Sequence, residues 1–475
     1  MSNVIWTPQP RQALFMERPE DEALYGGAAG GGKSDALVAE ALRQVHMRKY
    51  KGIIIRRTFP QLKELIDKSL DLYPRAFPRA KFNDSKHVWR FPSGAQILFG
   101  SMNRAKDKQN YQGQAYDFIG FDELTHFTYD EFIYLKSRNR ANAPGMRTYM
   151  RATANPGGIG HGWVKERYVT AAPPLTPITE DVEIIMPSGE KIIQKKKRIF
   201  IPASVFDNKI LLDNDPEYLG KLAMMPEAEK KALLYGDWDS FSGQVFMEWK
   251  NDPAHYKDAK WTHVIDPFQI PDYWQIYRGY DHGYSKPFSI GWYAVDTKGK
   301  IYRIAEYYGC TGTPDTGIQL PPNEVAKEVR RFEKEHPILK GKTIRGIADP
   351  AIWEESHGES ITRMFERQQI YFSKGDNSRI AGKMQYHYRL AFDETGDCMF
   401  QVFNTCPHFI RTIPALVYSE TNVEDINTKQ EDHIYDECRY VLMENPVTPR
   451  QNIKPQRPKD DPLDLWNDRK ILNRY

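Results

Sequence analysis

The sequence predicts an α/β protein in two parts, a mainly parallel sheet covered by helices followed by a mixed sheet with helices. In the first half, short apolar segments alternate with segments of helical periodicity, an order typical of parallel sheets. In the second half, three strand-like segments precede a helix, a strand and further helices. A chain of 475 residues is long enough for two or three domains. We expect boundaries that separate residues 1–240, residues 241–445 and a Pro-rich, flexible tail over 446–475.

The composition excludes several classes of protein. Lys and Arg number 66 against 63 Asp and Glu, a net charge of +3, so any surface for nucleic acid must be a local patch. No apolar run approaches the roughly 18 residues of a membrane helix, and the first residues carry no apolar secretory signal. The four cysteines form no CxxC pair, which predicts neither a disulfide framework nor a zinc site and fits a reducing cytosol.

The first predicted strand, residues 22–25, leads into a glycine-rich turn and a helix. Residues 27–34 read Gly-Ala-Ala-Gly-Gly-Gly-Lys-Ser, which matches the phosphate-binding pattern G-x-x-x-x-G-K-S. Glycine backbones let consecutive N–H groups surround a phosphate, and the helix that follows adds the positive end of its dipole. We expect Lys33 to reach the β- and γ-phosphates of ATP and Ser34 to bind Mg²⁺, in a loop shaped by Gly27, Gly30, Gly31 and Gly32. The alternative is a structural glycine-rich turn that matches by chance.

Polar residues follow two further predicted strands of the first half. The strand over 116–121 ends in Asp122 and Glu123, where P-loop enzymes carry a metal-facing Asp and a water-activating Glu. We assign Asp122 to Mg²⁺ and Glu123 to the general base; a helix N-cap is the alternative. The next strand ends at Thr153 and Asn155, which can sense hydrolysis beside the γ-phosphate. An ordinary Asn-Pro-Gly turn is the alternative for that segment.

In the second half, acidic residues stand at strand ends and at the start of the last helix. Asp281 ends the first of the three strands, Asp349 ends a later strand, and Asp436 lies in the first turn of a helix predicted over 434–443. His433 precedes Asp436 by three residues, so a helical turn places both on one face. Acids at these places, in this order of strands and helices, indicate an RNase H-like nuclease in which Asp281, Asp349 and Asp436 hold two Mg²⁺ or Mn²⁺ ions.

Each of these acids has a plainer alternative, because Asp at a strand end commonly caps a turn. The neighbouring Asp432 is expected to help start the helix and to point away from the metal site. Adjacent residues on a helix differ in direction by about 100°.

These motifs together resemble the large terminase subunit of tailed double-stranded DNA bacteriophages. The resemblance covers nearly the whole chain. The motifs stand in the family's order: the phosphate loop, the Asp-Glu strand, the Thr-Ala-Asn-Pro segment and then the later acids. Residues 234–238 and 374–377 look like family segments as well. The resemblance implies a P-loop ATPase domain joined to an RNase H-like endonuclease domain. It further implies a pentameric ring of this subunit on the portal protein of a procapsid, working with a small terminase subunit. ATP hydrolysis there would drive double-stranded DNA inward, and the nuclease would cut concatemers.

The resemblance also suggests residue roles and a location. Gln12, with Gln9 as the second choice, would read the adenine of ATP. Many members carry an Arg-Gly pair where this chain has Gln112-Gly113, so an arginine finger would have to come from Arg138, Arg140 or Arg104, each of which a surface salt bridge explains as well. The protein is expected in the host bacterial cytoplasm, transiently at the portal vertex, and absent from the mature virion.

Two other functions fit the same motifs. A helicase–nuclease or transposition-type ATPase would act on chromosomal DNA and would separate or join strands rather than bind a portal. A nucleotide-gated scaffold without catalysis would carry the acids for structural reasons only. Metal-dependent cutting of DNA distinguishes the scaffold from the other two.

Overall fold

The computed structural model describes residues 4–241, 243–355, 358–419, 422 and 424–448, so the predicted tail lies almost wholly outside the described residues. Within these ranges the first part contains nine strands, which are β1 (Glu22–Gly27), β2 (Lys51–Arg56), β3 (Lys81–Asn83), β4 (Val88–Arg90), β5 (Gln96–Ser101), β6 (Phe118–Phe121), β7 (Tyr149–Ala154), β8 (Ile178–Ile185) and β9 (Lys191–Ala203). Its helices are α1 (Pro10–Met16), α2 (Lys33–Glu40), α3 (Phe59–Ala76), α4 (Tyr129–Lys136), α5 (His161–Val164), α6 (Lys209–Asn214), α7 (Tyr218–Ala223) and α8 (Glu227–Tyr235).

These strands form one sheet in the order β3-β4-β5-β2-β6-β7-β1-β9-β8. The six strands from β5 to β9 in that order are parallel, and the outer strands β3, β4 and β8 are antiparallel. Strands β1, β7 and β6 are buried along their whole length, as expected for parallel strands with both faces covered. The predicted mainly parallel sheet is therefore confirmed.

The second part, over its described residues, contains seven strands and five helices. The strands are β10 (Val264–Ile265), β11 (Gln275–Asp281), β12 (Ser289–Val295), β13 (Ile301–Tyr308), β14 (Ile344–Ala348), β15 (Ser373–Lys374) and β16 (Phe400–Phe403). The helices are α9 (Pro322–Glu335), α10 (Ile361–Glu366), α11 (Arg379–Leu390), α12 (Pro407–Thr412) and α13 (His433–Glu444). The sheet order is β10-β16-β13-β12-β11-β14-β15, with β11, β12 and β13 antiparallel and β14 parallel to β11. The predicted mixed sheet is confirmed.

The two parts have separate hydrophobic cores. Two clusters cover the first sheet, and both consist of residues between Phe15 and Trp238. One cluster, running from Val245 to Leu442, covers the second sheet. A small cluster of Ala232, Phe241 and Val417 lies between them. Among the described residues, no helix is both long and apolar enough to span a membrane.

Glu22, the first residue of β1, is a buried acid that links the first sheet to the segments packed on it. It is buried, and its carboxylate pairs with Lys136 at 2.6 Å and with Arg167 at 3.0 Å, while the Tyr168 hydroxyl donates to it at 2.6 Å. Burial alone would raise the pKa of Glu22, but Arg167 and Lys136 outweigh burial and lower that pKa to about 2.

Replacing Glu22 by Gln removes the only charge that Lys136 pairs with among the described residues and leaves Arg167 with the more distant Glu180 at 3.4 Å. We therefore expect the free energy of unfolding to fall by about 3 kcal/mol at neutral pH. Because folding lowers the pKa of Glu22, its contribution is complete above the unfolded pKa of about 4.5 and is lost as the pH falls toward about 2. Urea unfolding of both proteins across pH should show a constant difference near neutrality that narrows in acid. The control is Glu183→Gln, which removes only an exposed pair with Lys191. Equal losses in both variants would contradict the prediction.

Candidate nucleotide and metal sites

The glycine-rich loop lies between the end of β1 and the start of α2. Gly27, Gly30 and Gly32 have positive φ angles of 135°, 70° and 69°, a region that favours glycine. At Gly27 a Cβ atom would lie 2.6 Å from the Ala203 carbonyl oxygen, so the loop can follow this path only with glycine there. The Ala28 N–H donates to that same carbonyl at 2.9 Å, which anchors the loop to β9.

Lys33, Asn155 and Glu123 form a continuous chain of hydrogen bonds at the mouth of this loop. Lys33 Nζ donates to Asn155 Oδ1 at 2.9 Å and to the Ala28 carbonyl oxygen at 2.5 Å. Asn155 in turn donates to both carboxylate oxygens of Glu123, from Nδ2 at 2.8 Å and from its backbone N–H at 3.0 Å. Burial lowers the pKa of Lys33, against the opposing charges of Glu123 and Asp122. The structure thus brings together three residues that the sequence assigned to one site.

Asp122 lies beside Ser34, as the sequence predicts for a shared metal. The Ser34 hydroxyl donates to Asp122 Oδ1 at 2.9 Å, and the Thr153 hydroxyl donates to the same atom at 2.6 Å. Asp122 is completely buried, and burial together with the neighbouring Glu123 raises its pKa. A carboxylate and a hydroxyl in contact are the oxygen donors that Mg²⁺ prefers, so these residues fit that ion.

Arg56 and the backbone of Glu123 complete the environment of Asp122. Arg56 Nε lies 3.1 Å from Asp122 Oδ2, a buried oxygen that accepts no hydrogen bond from the described residues. Arg56 is not among the residues predicted from the sequence. It ends β2, the strand next to β6, and a charged residue at the end of an apolar strand was the signal that could have identified it. Glu123 has a φ of 55°, an unusual conformation for a residue other than glycine and one that often marks functional sites.

Gln12 and Gln9, expected near the adenine, lie against the loop. Gln12 is buried and its Nε2 donates to the Gly32 carbonyl oxygen at 2.8 Å, while Gln9 Nε2 donates to Asn208 Oδ1 at 2.5 Å. Asn208 Nδ2 contacts the Gly30 carbonyl oxygen at 2.5 Å. Gln12 therefore contacts the phosphate loop directly, and Gln9 is linked to it through Asn208.

Arg138 and Arg140 do not lie at this site. Their backbones pair with Tyr116, just before β6 begins, at the opposite edge of the sheet from Asp122. The Arg138 guanidinium lies 4.8 Å from the ring centre of Tyr134.

In the second part, Asp281 and His433 are in contact across two elements. Asp281 ends β11, and its Oδ2 lies 3.2 Å from Nδ1 of His433 at the start of α13. Burial raises the pKa of Asp281 to about 6; His433 acts in the opposite direction, and Asp436 and Asp349 add to the increase. Burial would lower the pKa of His433, but Asp281 and Asp315, whose Oδ1 lies 3.3 Å from Nε2, raise it to about 10. The imidazole is thus held in its charged form between two carboxylates.

Asp349 and Asp436 approach Asp281 but have partners of their own. Asp349 directly follows β14, whose parallel neighbour β11 ends at Asp281, so both lie at one edge of the sheet. Its Oδ1 accepts from the Ala351 N–H at 2.8 Å, the turn-capping role named as the alternative. Asp436 pairs with Arg379 at 3.1 Å and with Arg439 at 3.0 Å.

Within the described parts of the chain, no group of three or more His, Cys, Asp or Glu side chains is placed so that it could hold a metal ion. Asp281 and Asp349 therefore share one edge of the sheet, and Asp436 on α13 adds its charge to theirs, but the three side chains do not have the geometry of metal ligands. Burial is the main cause of the raised pKa of Asp281, and repulsion from Asp436 and Asp349 adds to it; a divalent cation would relieve that repulsion. Carboxylate oxygens are donors that suit Mg²⁺ or Mn²⁺, so the donor types fit such an ion.

Asp432 differs from the expectation that it points away from this site. It is 6% exposed, and burial together with Asp436 and Asp281 raises its pKa well above the ordinary value. Asp432 precedes the first residue of α13 and has φ −105° and ψ 1°, which is not a helical conformation. The angle of about 100° between adjacent helical residues therefore does not apply to Asp432 and His433. Asp432 belongs to the same cluster of acids.

The mainly parallel sheet, the glycine-rich loop after β1 and the helix that follows it are the arrangement of the P-loop class of α/β proteins. More particularly, residues 24–249 match the family model described as "Terminase large subunit, T4likevirus-type, N-terminal". The resemblance to large terminase subunits is therefore confirmed for this part of the chain. A search of the curated proteins finds no match.

Several solved structures of phage terminases are similar to this chain. The large terminase of a thermophilic bacteriophage, in complex with ADP, is 16% identical, covers 92% of this chain and 98% of its own, and gives a TM-score of 0.38. The HK97 bacteriophage large terminase is 9% identical over 92% of this chain and 94% of its own, with a TM-score of 0.45. The P22 large terminase nuclease domain is 17% identical over 43% of this chain and 92% of its own, with a TM-score of 0.32.

Replacing Lys33 by Ala should abolish binding of ATP and ADP, because the substitution removes the positive charge that lies at the mouth of the phosphate loop. Titration with a fluorescent ADP measures this directly. The matched control is Lys63→Ala, an exposed position on α3, which should bind as the wild type does. Nucleotide affinity within about threefold of wild type in Lys33→Ala would contradict the assignment of the loop.

Proposed function

We propose that this chain is an ATP-driven DNA-packaging motor subunit of the large terminase type, with an ATPase site in the first part and an endonuclease site in the second. The observation that carries the proposal is the convergence of Lys33, Ser34, Asp122, Glu123 and Asn155 at the carboxyl ends of three adjacent parallel strands. The match of residues 24–249 to the terminase family supports it.

In the ATPase site, the loop N–H groups and Lys33 bind the phosphates, and Ser34 and Asp122 would hold Mg²⁺. Such an ion neutralises phosphate charge when it is bound. Glu123 is the general base for the attacking water, and Asn155 keeps its carboxylate oriented by two hydrogen bonds. Asn155 also accepts from Lys33, so a γ-phosphate that attracts Lys33 removes one of the partners of Asn155. This change of hydrogen-bond partner lets Asn155 respond to hydrolysis. Thr153, two residues earlier, would respond through its hydrogen bond to Asp122.

In the endonuclease site, Asp281, Asp349 and Asp436 would hold two Mg²⁺ or Mn²⁺ ions. When bound, such ions stabilise the attacking and leaving oxygens of a phosphodiester. His433 orients the Asp281 carboxylate through the contact at 3.2 Å and can donate a proton from its charged ring. The cleft between the two parts, about 1870 Å³ in volume, is lined by Asp432, His433 and Asp315, and it therefore reaches the residues beside Asp281.

The proposed partners follow from this function. They are double-stranded DNA, a portal protein and a small terminase subunit, with five copies in a ring on the procapsid. The site of action would be the host bacterial cytoplasm and, transiently, the portal vertex. Movement along DNA needs contacts to the phosphate backbone that do not depend on base sequence. Because the net charge of the chain is only +3, local basic patches would have to make these contacts.

Two substitutions should separate the two activities. Glu123→Gln keeps the shape of the base and removes its basicity, so ATP turnover should fall by ~10²–10⁴-fold while plasmid cutting with Mn²⁺ persists. Asp281→Asn should eliminate cutting and leave ATP turnover near the wild-type value. ATPase and plasmid-nicking assays on both variants test this.

The control for the nuclease arm is Asp266→Asn. Asp266 follows β10 on the same sheet and its side chain accepts from Asn404, so its replacement should leave both activities intact. Cutting that survives Asp281→Asn, or ATP turnover that survives Glu123→Gln, would contradict the corresponding site.

We also propose the domain boundaries 1–240 and 241–445, followed by the tail 446–475. The separate cluster of residues between Val245 and Leu442 supports the division. A fragment of residues 246–475 should therefore fold alone, with a cooperative thermal transition by circular dichroism, and cut DNA without nucleotide. A fragment without a cooperative transition would contradict the boundary.

A further inference from the structure

Arg379 lies among three carboxylates of the second part, at the first position of α11. Its Nε donates to Asp425 Oδ2 at 2.7 Å, and its Nη1 contacts both oxygens of Asp436, at 3.1 and 3.2 Å. Its Nη2 lies 3.9 Å from Asp432 Oδ2 and is buried without a hydrogen bond to any described residue. One guanidinium thus serves as the cation for three acids.

The packing of α11 on α13 puts Arg379 in this position. At Gly382 a Cβ atom would lie 2.3 Å from Arg439 Cγ, and at Gly375 it would lie 2.6 Å from the ring of Tyr440. These two glycines allow the segment before α11, and α11 itself, to approach α13 closely. The segment over 374–377 that resembles the terminase family leads directly into this contact.

The two arginines around Asp436 are not equivalent. Arg439 contacts Oδ1 of Asp436, at 3.0 and 3.1 Å, and is also held by Asn377 at 3.1 Å. Oδ2 of Asp436 has Arg379 as its cationic contact, and so does Oδ2 of Asp432. A divalent ion bound by these two oxygens would occupy the place that the Arg379 guanidinium holds.

We propose that Arg379 is a positioning residue that acts as the resident counter-cation of Asp432 and Asp436, so that a divalent ion binds this half of the nuclease site only by displacing it. The proposal rests on the proposed nuclease function. Among the described residues, Asp281 pairs with one cation, His433, whereas Asp436 pairs with two, Arg379 and Arg439. The half of the site at Asp281 therefore fills first, and the half formed by Asp432 and Asp436 fills second. Asp425 retains the displaced guanidinium through its contact with Nε.

The test measures Mn²⁺ binding to the full-length, nucleotide-free protein by calorimetry, with thermal unfolding measured with and without Mn²⁺. In Arg379→Gln, the weaker class of Mn²⁺ sites should tighten by about tenfold, because a competing positive charge within 4 Å is gone. Without metal, the same variant should unfold at a lower temperature than wild type, since its carboxylates repel each other, and saturating Mn²⁺ should close that gap. A purely structural arginine would not give a stability loss that metal restores.

Two further variants complete the test. Arg379→Lys keeps the charge and should retain weak Mn²⁺ binding, which separates charge from side-chain shape. Arg331→Gln, which removes an exposed pair with Glu328, should change neither Mn²⁺ binding nor stability. Unchanged or weakened Mn²⁺ binding in Arg379→Gln, or a stability loss that Mn²⁺ does not restore, overturns the proposal.

Failure of the nuclease function itself gives a different result. If wild type binds no Mn²⁺, or if Asp281→Asn binds it as wild type does, the metal site is wrong and the role of Arg379 is overturned with it. If Asp281→Asn loses the tight class while Arg379→Gln matches wild type, only the role of Arg379 is overturned.

Discussion

Adjacent parallel strands present their carboxyl ends at one edge of a sheet, and both candidate sites depend on this constraint. In the first sheet, β1, β7 and β6 are neighbours, so the loop after β1, Asn155 after β7 and Glu123 after β6 meet without any long-range adjustment. In the second sheet, β11 and β14 are parallel neighbours, which brings Asp281 and Asp349 to the same edge. Ligand sites of α/β sheets lie at such edges.

Burial then decides how the charges at these edges behave. Asp122 and Lys33 are buried and are tolerated because hydroxyls and an amide form hydrogen bonds with them and Arg56 supplies a counter-charge to Asp122. In the second part the acids outnumber the groups that neutralise them, and His433 and Arg379 are shared between several carboxylates. Shared cations of this kind preserve a cluster of acids in the folded protein while leaving it responsive to an added cation.

The phosphate loop and the segment after β7 both contact residues of α8 or just after it, and these residues lead into the second part. The Ala29 N–H donates to the Leu233 carbonyl oxygen at 2.8 Å, which ties the loop to α8. The Gly157 N–H donates to His161 Nδ1 at 3.0 Å, and the other ring nitrogen of His161 lies 3.1 Å from the Trp238 carbonyl oxygen. Burial lowers the pKa of His161 to about 3, so the ring is neutral and can accept and donate at once. Phe241 follows Trp238 within three residues and packs against Val417 of the second part.

The amino-acid sequence by itself determined the features that depend on local spacing: the glycine loop, the polar residues at the ends of β6 and β7, and the strands β11, β12 and β13. It did not predict β10, β15 and β16, because two to four residues carry too little periodicity, nor α11. Only the tertiary structure decided which cations meet which acids. Arg56 pairs with Asp122, and Arg379 with Asp436, across segments far apart in the chain, because a buried charge is neutralised by whichever side chain the packing brings near it, regardless of separation in sequence.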